Sequence, residues 1–93
     1  MEFFPEVVQV IPFEDYTVQV YFQDGKIVLY DMKSNLNKGL FQVLSDIRIF
    51  MECCTVMNDT LAWDLEGDRD VSKCIDIDPE MLYMLPPVEE IIA

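Results

Sequence analysis

The pair Asp24-Gly25 separates two runs of strand-forming residues, and this arrangement constrains the fold more than any other feature of the chain. In residues 16–22, apolar and polar side chains alternate, as in a strand with one face on a core and the other in water. The apolar side is formed by Val18, Val20 and Phe22. An Asp-Gly pair tolerates the positive φ angles of a tight hairpin turn. The sequence therefore predicts a hairpin whose returning strand covers residues 26–31.

A third strand is predicted just before this hairpin, in residues 7–13, with Glu14-Asp15 as the connecting turn. Pro12 cannot donate a ladder hydrogen bond, so it indicates an edge strand or a strand end. Three strands joined by short turns make an antiparallel meander, and such a sheet needs one face covered.

The cover is predicted to be a helix in residues 38–50. Its apolar residues recur at spacings of three and four, which suits one face of an amphipathic helix. They are Leu36, Leu40, Phe41, Leu44 and Ile47. Ser45-Asp46 favours an interruption of this helix, because short polar side chains compete for backbone hydrogen bonds.

The second half of the chain returns to strand-type composition in residues 52–57 and 60–64, with Asn58-Asp59 as the turn between them. Leu61 and Trp63 are expected to point inward. Residues 65–72 are expected to form an exposed loop, residues 74–77 a further alternating stretch, and Asp78-Pro79-Glu80 the start of a short helical turn. Residues 88–93 are expected either to be mobile or to dock on another subunit.

These predictions combine into one α+β domain over residues 1–93, with the core at about 6–85 and a C-terminal tail at 86–93. The expected architecture is a small antiparallel sheet built from a three-strand meander, a short helical insertion and a second hairpin, followed by a short C-terminal helical turn.

The chain is strongly acidic, with 18 Asp and Glu residues against 6 Lys and Arg, a formal net charge of −12. Such a surface repels phosphate backbones, so we expect no direct binding of nucleic acid. It would attract a basic protein partner, although simple solubility is an alternative reason for the charge. No run approaches the roughly 20 apolar residues of a membrane helix, and the first residues lack the basic segment of a signal peptide. We therefore expect no membrane contact and a cytoplasmic location.

No constellation of catalytic or ligand-binding residues is recognisable. The chain has no histidine, which removes the commonest general base and metal ligand. Cys53, Cys54 and Cys74 lack metal-binding spacing and are interpreted as reduced, mostly buried thiols. The acidic stretch 64–70 resembles a calcium loop only superficially, because Ile75 stands where the closing glutamate should be. We expect no enzymatic activity, no cofactor and no metal.

Aromatic residues are the remaining candidates for a functional surface, since they supply much contact area at low entropic cost. The candidates are Tyr16, Tyr21, Tyr30, Trp63 and Tyr83. Core packing would explain them about as well. Tyr16, Tyr21 and Tyr83 are the expected surface contacts, whereas Tyr21, Tyr30 and Trp63 could be the walls of a small-ligand pocket.

The order of several short motifs resembles the bacterial family called Domain of Unknown Function 2442. The motifs are Phe22-x-Asp24-Gly25, Asp31, Gly39-x-Phe41 with Leu44 and Phe50, Trp63, and Asp76-Ile77-Asp78-Pro79-Glu80 before Leu82-Tyr83. The resemblance implies an antiparallel sheet with a short helical insertion and no established enzymatic activity. It also implies, for some relatives, an appended helix-turn-helix domain and, for others, a neighbouring basic partner in arrangements that look like toxin–antitoxin pairs.

Our leading hypothesis is therefore a non-catalytic protein-interaction module. It would form a homo-oligomer, such as a dimer, through an exposed strand edge or its apolar tail, and it would engage a basic protein. The alternative hypothesis is a small-ligand binding domain.

Overall fold

The computed structural model describes residues 4–91, in which two three-stranded antiparallel sheets are joined by short helical segments. The first sheet has the order β1-β2-β3, with β1 at Val7–Pro12, β2 at Thr17–Phe22 and β3 at Ile27–Asp31. The second sheet has the order β4-β5-β6, with β4 at Cys54–Met57, β5 at Thr60–Trp63 and β6 at Ile75–Asp76. The predicted α+β fold is confirmed, and the second hairpin forms a sheet of its own with β6.

The two turns of the first sheet have the same hydrogen-bond pattern. In the second turn the Phe22 N–H donates to the Lys26 carbonyl at 2.9 Å, and Gly25 has a φ of 97°. In the first turn the Phe13 N–H donates to the Thr17 carbonyl at 2.8 Å, and Tyr16 has a φ of 67°. Both are three-residue loops that end on a residue with positive φ, a common hairpin connection.

The helical insertion is divided in two, as the Ser45-Asp46 pair predicts. A 3₁₀ helix at Gly39–Ser45 precedes the α-helix α1 at Ile47–Cys53. Asp46 caps α1, because its side chain accepts the Arg48 N–H at 3.0 Å. The α-helix continues to Cys53, so β4 begins two residues later than predicted.

The second sheet follows the sequence signals closely. Asn58 and Asp59 have φ angles of 52° and 63°, as expected for the residues of a tight hairpin turn. The Thr60 hydroxyl donates to the Ile77 carbonyl at 2.6 Å, which extends the contact between β5 and the β6 segment. Asp78 then caps the short helix α2 at Pro79–Tyr83 through the Glu80 N–H.

One hydrophobic core lies between the two sheets and α1. Its largest fully buried side chains are Trp63, Phe50, Met32, Leu44, Leu61 and Leu82. The Val7 N–H donates to the Asp59 carbonyl at 2.9 Å, which ties β1 to the second hairpin. Of the helices within residues 4–91, none is long and apolar enough to cross a membrane.

The polar face of β2 is more buried than its sequence predicts. Thr17 is 6% exposed and Gln19 is fully buried, although the alternation of β2 predicts a solvent-facing side for both residues. The Thr17 hydroxyl donates to the Asp15 carboxylate at 2.5 Å. For Gln19 the reason is that the C-terminal residues up to Ile91 return to this side of the sheet and hydrogen-bond to it. The tail, at least through Ile91, therefore docks on its own chain.

Candidate functional site

An open groove of about 610 Å³ lies between the first turn of the first sheet and α1, and we call it the α1 groove. Its lining residues are Glu14, Tyr16, Ile47, Arg48, Met51 and Glu52. One face of α1 contributes Ile47, Arg48 and Met51 to this lining. Met51 follows Ile47 by four residues and Arg48 by three, and residues at these spacings are neighbours on a helix surface. The lining of the groove therefore combines apolar and charged side chains.

Tyr16 holds the turn side of the α1 groove in a fixed position. Its hydroxyl donates to the Ser45 carbonyl at 2.5 Å, and its ring packs edge-on against Phe50 at 5.3 Å between centroids. A positive φ is strained for a bulky residue and persists only where the surroundings enforce it. These two contacts supply that enforcement, so the aromatic wall is rigid before any partner arrives.

The charges at the α1 groove are mainly negative. Glu14, on the first turn, and Glu52, on α1, are both exposed. Arg48 is the cation at this place, and its guanidinium lies 3.5 Å from the Asp46 carboxylate. The Arg48 N–H lowers the pKa of Asp46 by hydrogen bonding, so this carboxylate stays charged and offsets the arginine.

A second surface is formed where residues 87–91, which we call the C-terminal strap, run from the free edge of β3 onto the outer face of the first sheet. Pro87 pairs with Val28 as an isolated antiparallel bridge, and the Val88 N–H donates to the Ile27 carbonyl at 2.8 Å. At the far end, Ile91 is bound through its main chain. Its N–H donates to the Gln19 Oε1 at 2.7 Å, and its carbonyl accepts from the Gln19 Nε2 at 3.2 Å.

Tyr21 completes the binding of the strap. Its hydroxyl donates to the Glu90 carboxylate at 2.6 Å and accepts from the Gln19 Nε2 at 2.7 Å. The hydrogen bond to Glu90 raises the pKa of Tyr21, because loss of the proton would place two negative charges together. Gln19, Tyr21 and the strap therefore form one hydrogen-bonded network.

The family model described as a protein of unknown function (DUF2442) matches residues 7–86 of this chain. The chain belongs to that family. The match covers both sheets, α1 and α2, and it confirms the resemblance that the motifs indicate. No curated protein and no solved structure matches the chain significantly.

The five predicted aromatic residues of this DUF2442 chain do not form one site. Trp63 is fully buried, and its indole N–H donates to the Phe50 carbonyl at 3.1 Å. The prediction that Trp63 forms a surface or a pocket wall is therefore wrong, because its contacts are all within the core. Tyr30 is only 6% exposed and borders a separate hollow of about 270 Å³. Tyr21 lies under the strap, so the three supposed pocket walls are not brought together.

Tyr83 lies at the end of the first sheet that carries the Asp24-Gly25 turn. Its hydroxyl donates to the Asp24 carboxylate at 2.5 Å, and its ring packs edge-on against Phe22 at 4.9 Å. The ammonium of Lys26 lies 4.3 Å from the ring centroid and donates to the Tyr83 carbonyl. These contacts fix α2 to the turn, which is a structural role.

The acidic loop of this DUF2442 chain is closed by its own residues. The buried Asp64 carboxylate accepts the N–H groups of Gly67 and Arg69 at 3.1 and 2.9 Å. The Lys73 ammonium lies within 4.0 Å of three carboxylates, those of Glu66, Asp68 and Asp70. Among residues 4–91, no group of histidine, cysteine, aspartate and glutamate side chains is arranged to hold a metal ion.

The three cysteines are free and only partly buried, so the prediction of mostly buried thiols is too strong. Cys54 is the most shielded, and burial raises its pKa to about 12. The pKa values of Cys53 and Cys74 are also raised, first by burial and then by neighbouring carboxylates. All three environments therefore disfavour the thiolate that nucleophilic chemistry needs.

Two features of the site have no clear signal in the sequence. Gln19 looks like an ordinary solvent-facing residue of an alternating strand, and its partner Ile91 is 72 residues away. The α1 groove depends on how α1 lies against the first turn. The strained Tyr16 did have a weak signal, because the first turn is as short as the Asp24-Gly25 turn but has no glycine in its sequence.

Proposed function

We propose that this chain is a non-catalytic protein-interaction module that binds a basic protein through the α1 groove. The observation that carries the proposal is the lining of this groove, in which Glu14 from the turn and Glu52 from α1 accompany the apolar side chains of Tyr16, Ile47 and Met51. A lysine or arginine side chain fits this arrangement, because its aliphatic stem packs on apolar surface while its head meets a carboxylate.

The net charge of the chain supports the same partner. A charge of −12 repels acidic proteins and nucleic acids, and it speeds the encounter with a cationic protein at low ionic strength. Tyr16 contributes a rigid aromatic contact that needs no ordering on binding. The absence of histidine, together with the raised pKa values of the cysteines, supports a binding role over a catalytic one.

The proposed cellular role is the acidic member of a regulatory or toxin–antitoxin-like pair in the cytoplasm. In this role the chain would form a homo-oligomer, such as a dimer, and would not contact nucleic acid or membrane directly. The family match supplies no activity that would contradict this proposal.

The experiment is capture of partners by the immobilised full chain from a lysate of the source cell, at low and high salt. The test variant combines Glu14→Gln with Glu52→Gln. The control combines Asp76→Asn with Glu80→Gln, which removes the same charge from exposed positions outside the α1 groove. We expect a basic protein that binds at low salt, is released at high salt, is lost with the test variant and is kept with the control.

Two results would contradict the proposal: equal capture by the test and control variants, or recovery of no partner by a monodisperse monomer. The first result would show that the partner binds outside the α1 groove. The second would show that the chain has no basic protein partner in that lysate.

A second candidate function is the binding of a small ligand in the same groove, whose volume of about 610 Å³ lies within the usual range for ligand pockets. A thermal-shift screen separates the two functions, because a small ligand in excess of its dissociation constant raises the melting temperature. A ligand that stabilises the wild type and not Tyr16→Ala would favour this candidate.

A further inference from the structure

The hydrogen bonds of the C-terminal strap are made mainly by its main chain. The hydrogen bonds to Ile27 and Gln19 use the peptide groups of Val88 and Ile91, whereas the bond from Tyr21 is the one that uses a strap side chain. Val88 and Ile91 are 36% and 46% exposed, so each residue also buries more than half of its surface. The sheet therefore binds an extended backbone together with two apolar side chains, as in strand-addition modes of peptide recognition.

Gln19 is built into the sheet as a receptor for one extended residue. It is fully buried in the central strand, and its neighbours on the adjoining strands are the apolar residues Ile11 and Leu29. Its amide has one acceptor and two N–H donors; Ile91 bonds to the acceptor and to one donor, and the Tyr21 hydroxyl accepts from the amide nitrogen as well. The strap is what buries this amide, so its hydrogen bonds to Ile91 replace those that water would make to Gln19 on an uncovered face.

The strap has the same sign of charge as this sheet, although Glu90 accepts a hydrogen bond from Tyr21. Residues 6–33 contain five carboxylates and two lysines, one of which, Lys33, lies 3.8 Å from Asp31. The strap adds Glu89 and Glu90 to this negative surface. At low ionic strength the negative charges of the sheet repel those of Glu89 and Glu90. An extended segment with basic residues at the positions of Glu89 and Glu90 would be attracted instead.

We propose that the outer face of the first sheet is a binding site for an extended segment of a basic protein, which displaces the C-terminal strap. The basic character of the partner rests on the proposed function, whereas the surface is separate from the α1 groove. The strap covers the face while no partner is present. It competes with a separate partner because its tether to the same chain gives it a high effective concentration.

The experiment measures binding of a fluorescent peptide to the full chain by anisotropy. The peptide has the sequence of residues 86–91 with lysine in place of Glu89 and Glu90, and a second peptide keeps both glutamates. Three variants accompany the wild type. Gln19→Leu removes the amide, Ile91→Pro removes the N–H through which the strap reaches Gln19, and Gln23→Leu is a matched control at an exposed turn position.

We expect the lysine peptide to bind about tenfold more tightly to Ile91→Pro than to the wild type, because release of the strap raises the fraction of chains with an open face. Gln19→Leu should lose binding, and Gln23→Leu should behave as the wild type. The lysine peptide should bind more tightly than the glutamate peptide at low salt, and about 0.5 M sodium chloride should remove most of that difference.

Three results would overturn the inference: equal affinity for wild type and Ile91→Pro, full binding to Gln19→Leu, or tighter binding of the glutamate peptide. The last result would assign the face to the C-terminal residues of a second copy. If Gln19→Leu fails to fold, as judged by circular dichroism, Tyr21→Phe replaces it and should weaken binding of the glutamate peptide while sparing that of the lysine peptide.

Failure of this inference is distinguishable from failure of the proposed function. Glu14→Gln with Glu52→Gln removes charge from the α1 groove without touching Gln19, so it should leave binding of a short peptide at the sheet within about twofold of wild type. If this variant loses lysate capture and keeps its peptide binding, the result would support both proposals and show that they concern separate surfaces. Capture that depends on Glu14 and Glu52, without peptide binding to Ile91→Pro, would reject only the site under the strap.

Discussion

Tyr16 and Gly25 occupy equivalent positions in the two turns of the first sheet. Each is the last residue of a three-residue loop, and each has a positive φ, of 67° and 97° respectively. Glycine reaches this conformation without strain, whereas tyrosine does not. The first turn thus carries strain that the second turn avoids, and the tyrosine contacts must offset it.

The strain at Tyr16 predicts an unusual order of stabilities among its variants. Tyr16→Gly and Tyr16→Ala both lose the ring and the hydrogen bond to Ser45, but only alanine keeps the positive-φ penalty. Tyr16→Ala should therefore be less stable than Tyr16→Gly by about 1 kcal/mol. Urea unfolding measures the difference, and a more stable alanine variant would show that the turn is unstrained.

Gly25→Ala is the matched control for that comparison. A Cβ at Gly25 would meet no atom within 4 Å, so its cost comes from the backbone conformation alone. We expect a loss of about 1 kcal/mol in the free energy of unfolding, with no change in partner binding at the α1 groove.

Trp63 is the single tryptophan of the chain and reports directly on the core. Because it is fully buried, its fluorescence emission should be at short wavelength in the folded protein and should shift to longer wavelength on unfolding. Trp63→Phe should destabilise the fold by about 2–3 kcal/mol, since it leaves a cavity and an unpaired Phe50 carbonyl. A change below about 1 kcal/mol would mean that the core repacks around the smaller ring.

The hydrogen bond between Tyr83 and Asp24 predicts a defined dependence of stability on pH. The bond lowers the pKa of Asp24, so its contribution is present above the ordinary aspartate pKa and is lost as the pH falls through the lowered value. The same bond raises the pKa of Tyr83 above the ordinary tyrosine value, so the contribution is also lost as the pH rises through that raised pKa.

Tyr83→Phe tests this dependence by removing the hydroxyl. We expect the Asp24 carboxyl to titrate closer to its ordinary pKa in the variant, as followed by NMR, and the acid and alkaline changes in stability to become smaller. An Asp24 titration curve that does not change would show that the hydroxyl has another partner in solution.

The raised pKa of Cys54, about 12, predicts a thiol that reacts slowly. At pH 8 only about one Cys54 side chain in ten thousand should be ionised, and the thiolate is the reactive form. In a chain with Cys53→Ser and Cys74→Ser, an aromatic disulfide reagent should modify Cys54 slowly in the folded state and rapidly in urea. Equal rates in the two states would place this thiol at the surface.

The strands and their turns were predictable because their signals are local. Alternation in β2, the Asp24-Gly25 and Asn58-Asp59 turns and the Asp78-Pro79 start of α2 each arise from a few neighbouring residues. The burial of Gln19 was not predictable, since it depends on a segment 72 residues further along the chain. Trp63 was ambiguous for a different reason, because an aromatic residue in a strand fits a core and a binding surface equally well.

The distance in sequence between Gln19 and Ile91 has a consequence for the order of events at the ribosome. Translation proceeds from the N-terminus, so the first sheet is made well before the residues that come to lie on it. During that interval residues 87–91 are not yet available to cover the Gln19 amide. If the inferred partner site exists, a protein that binds at this stage would meet an uncovered amide, whereas one that binds later must first displace residues 87–91.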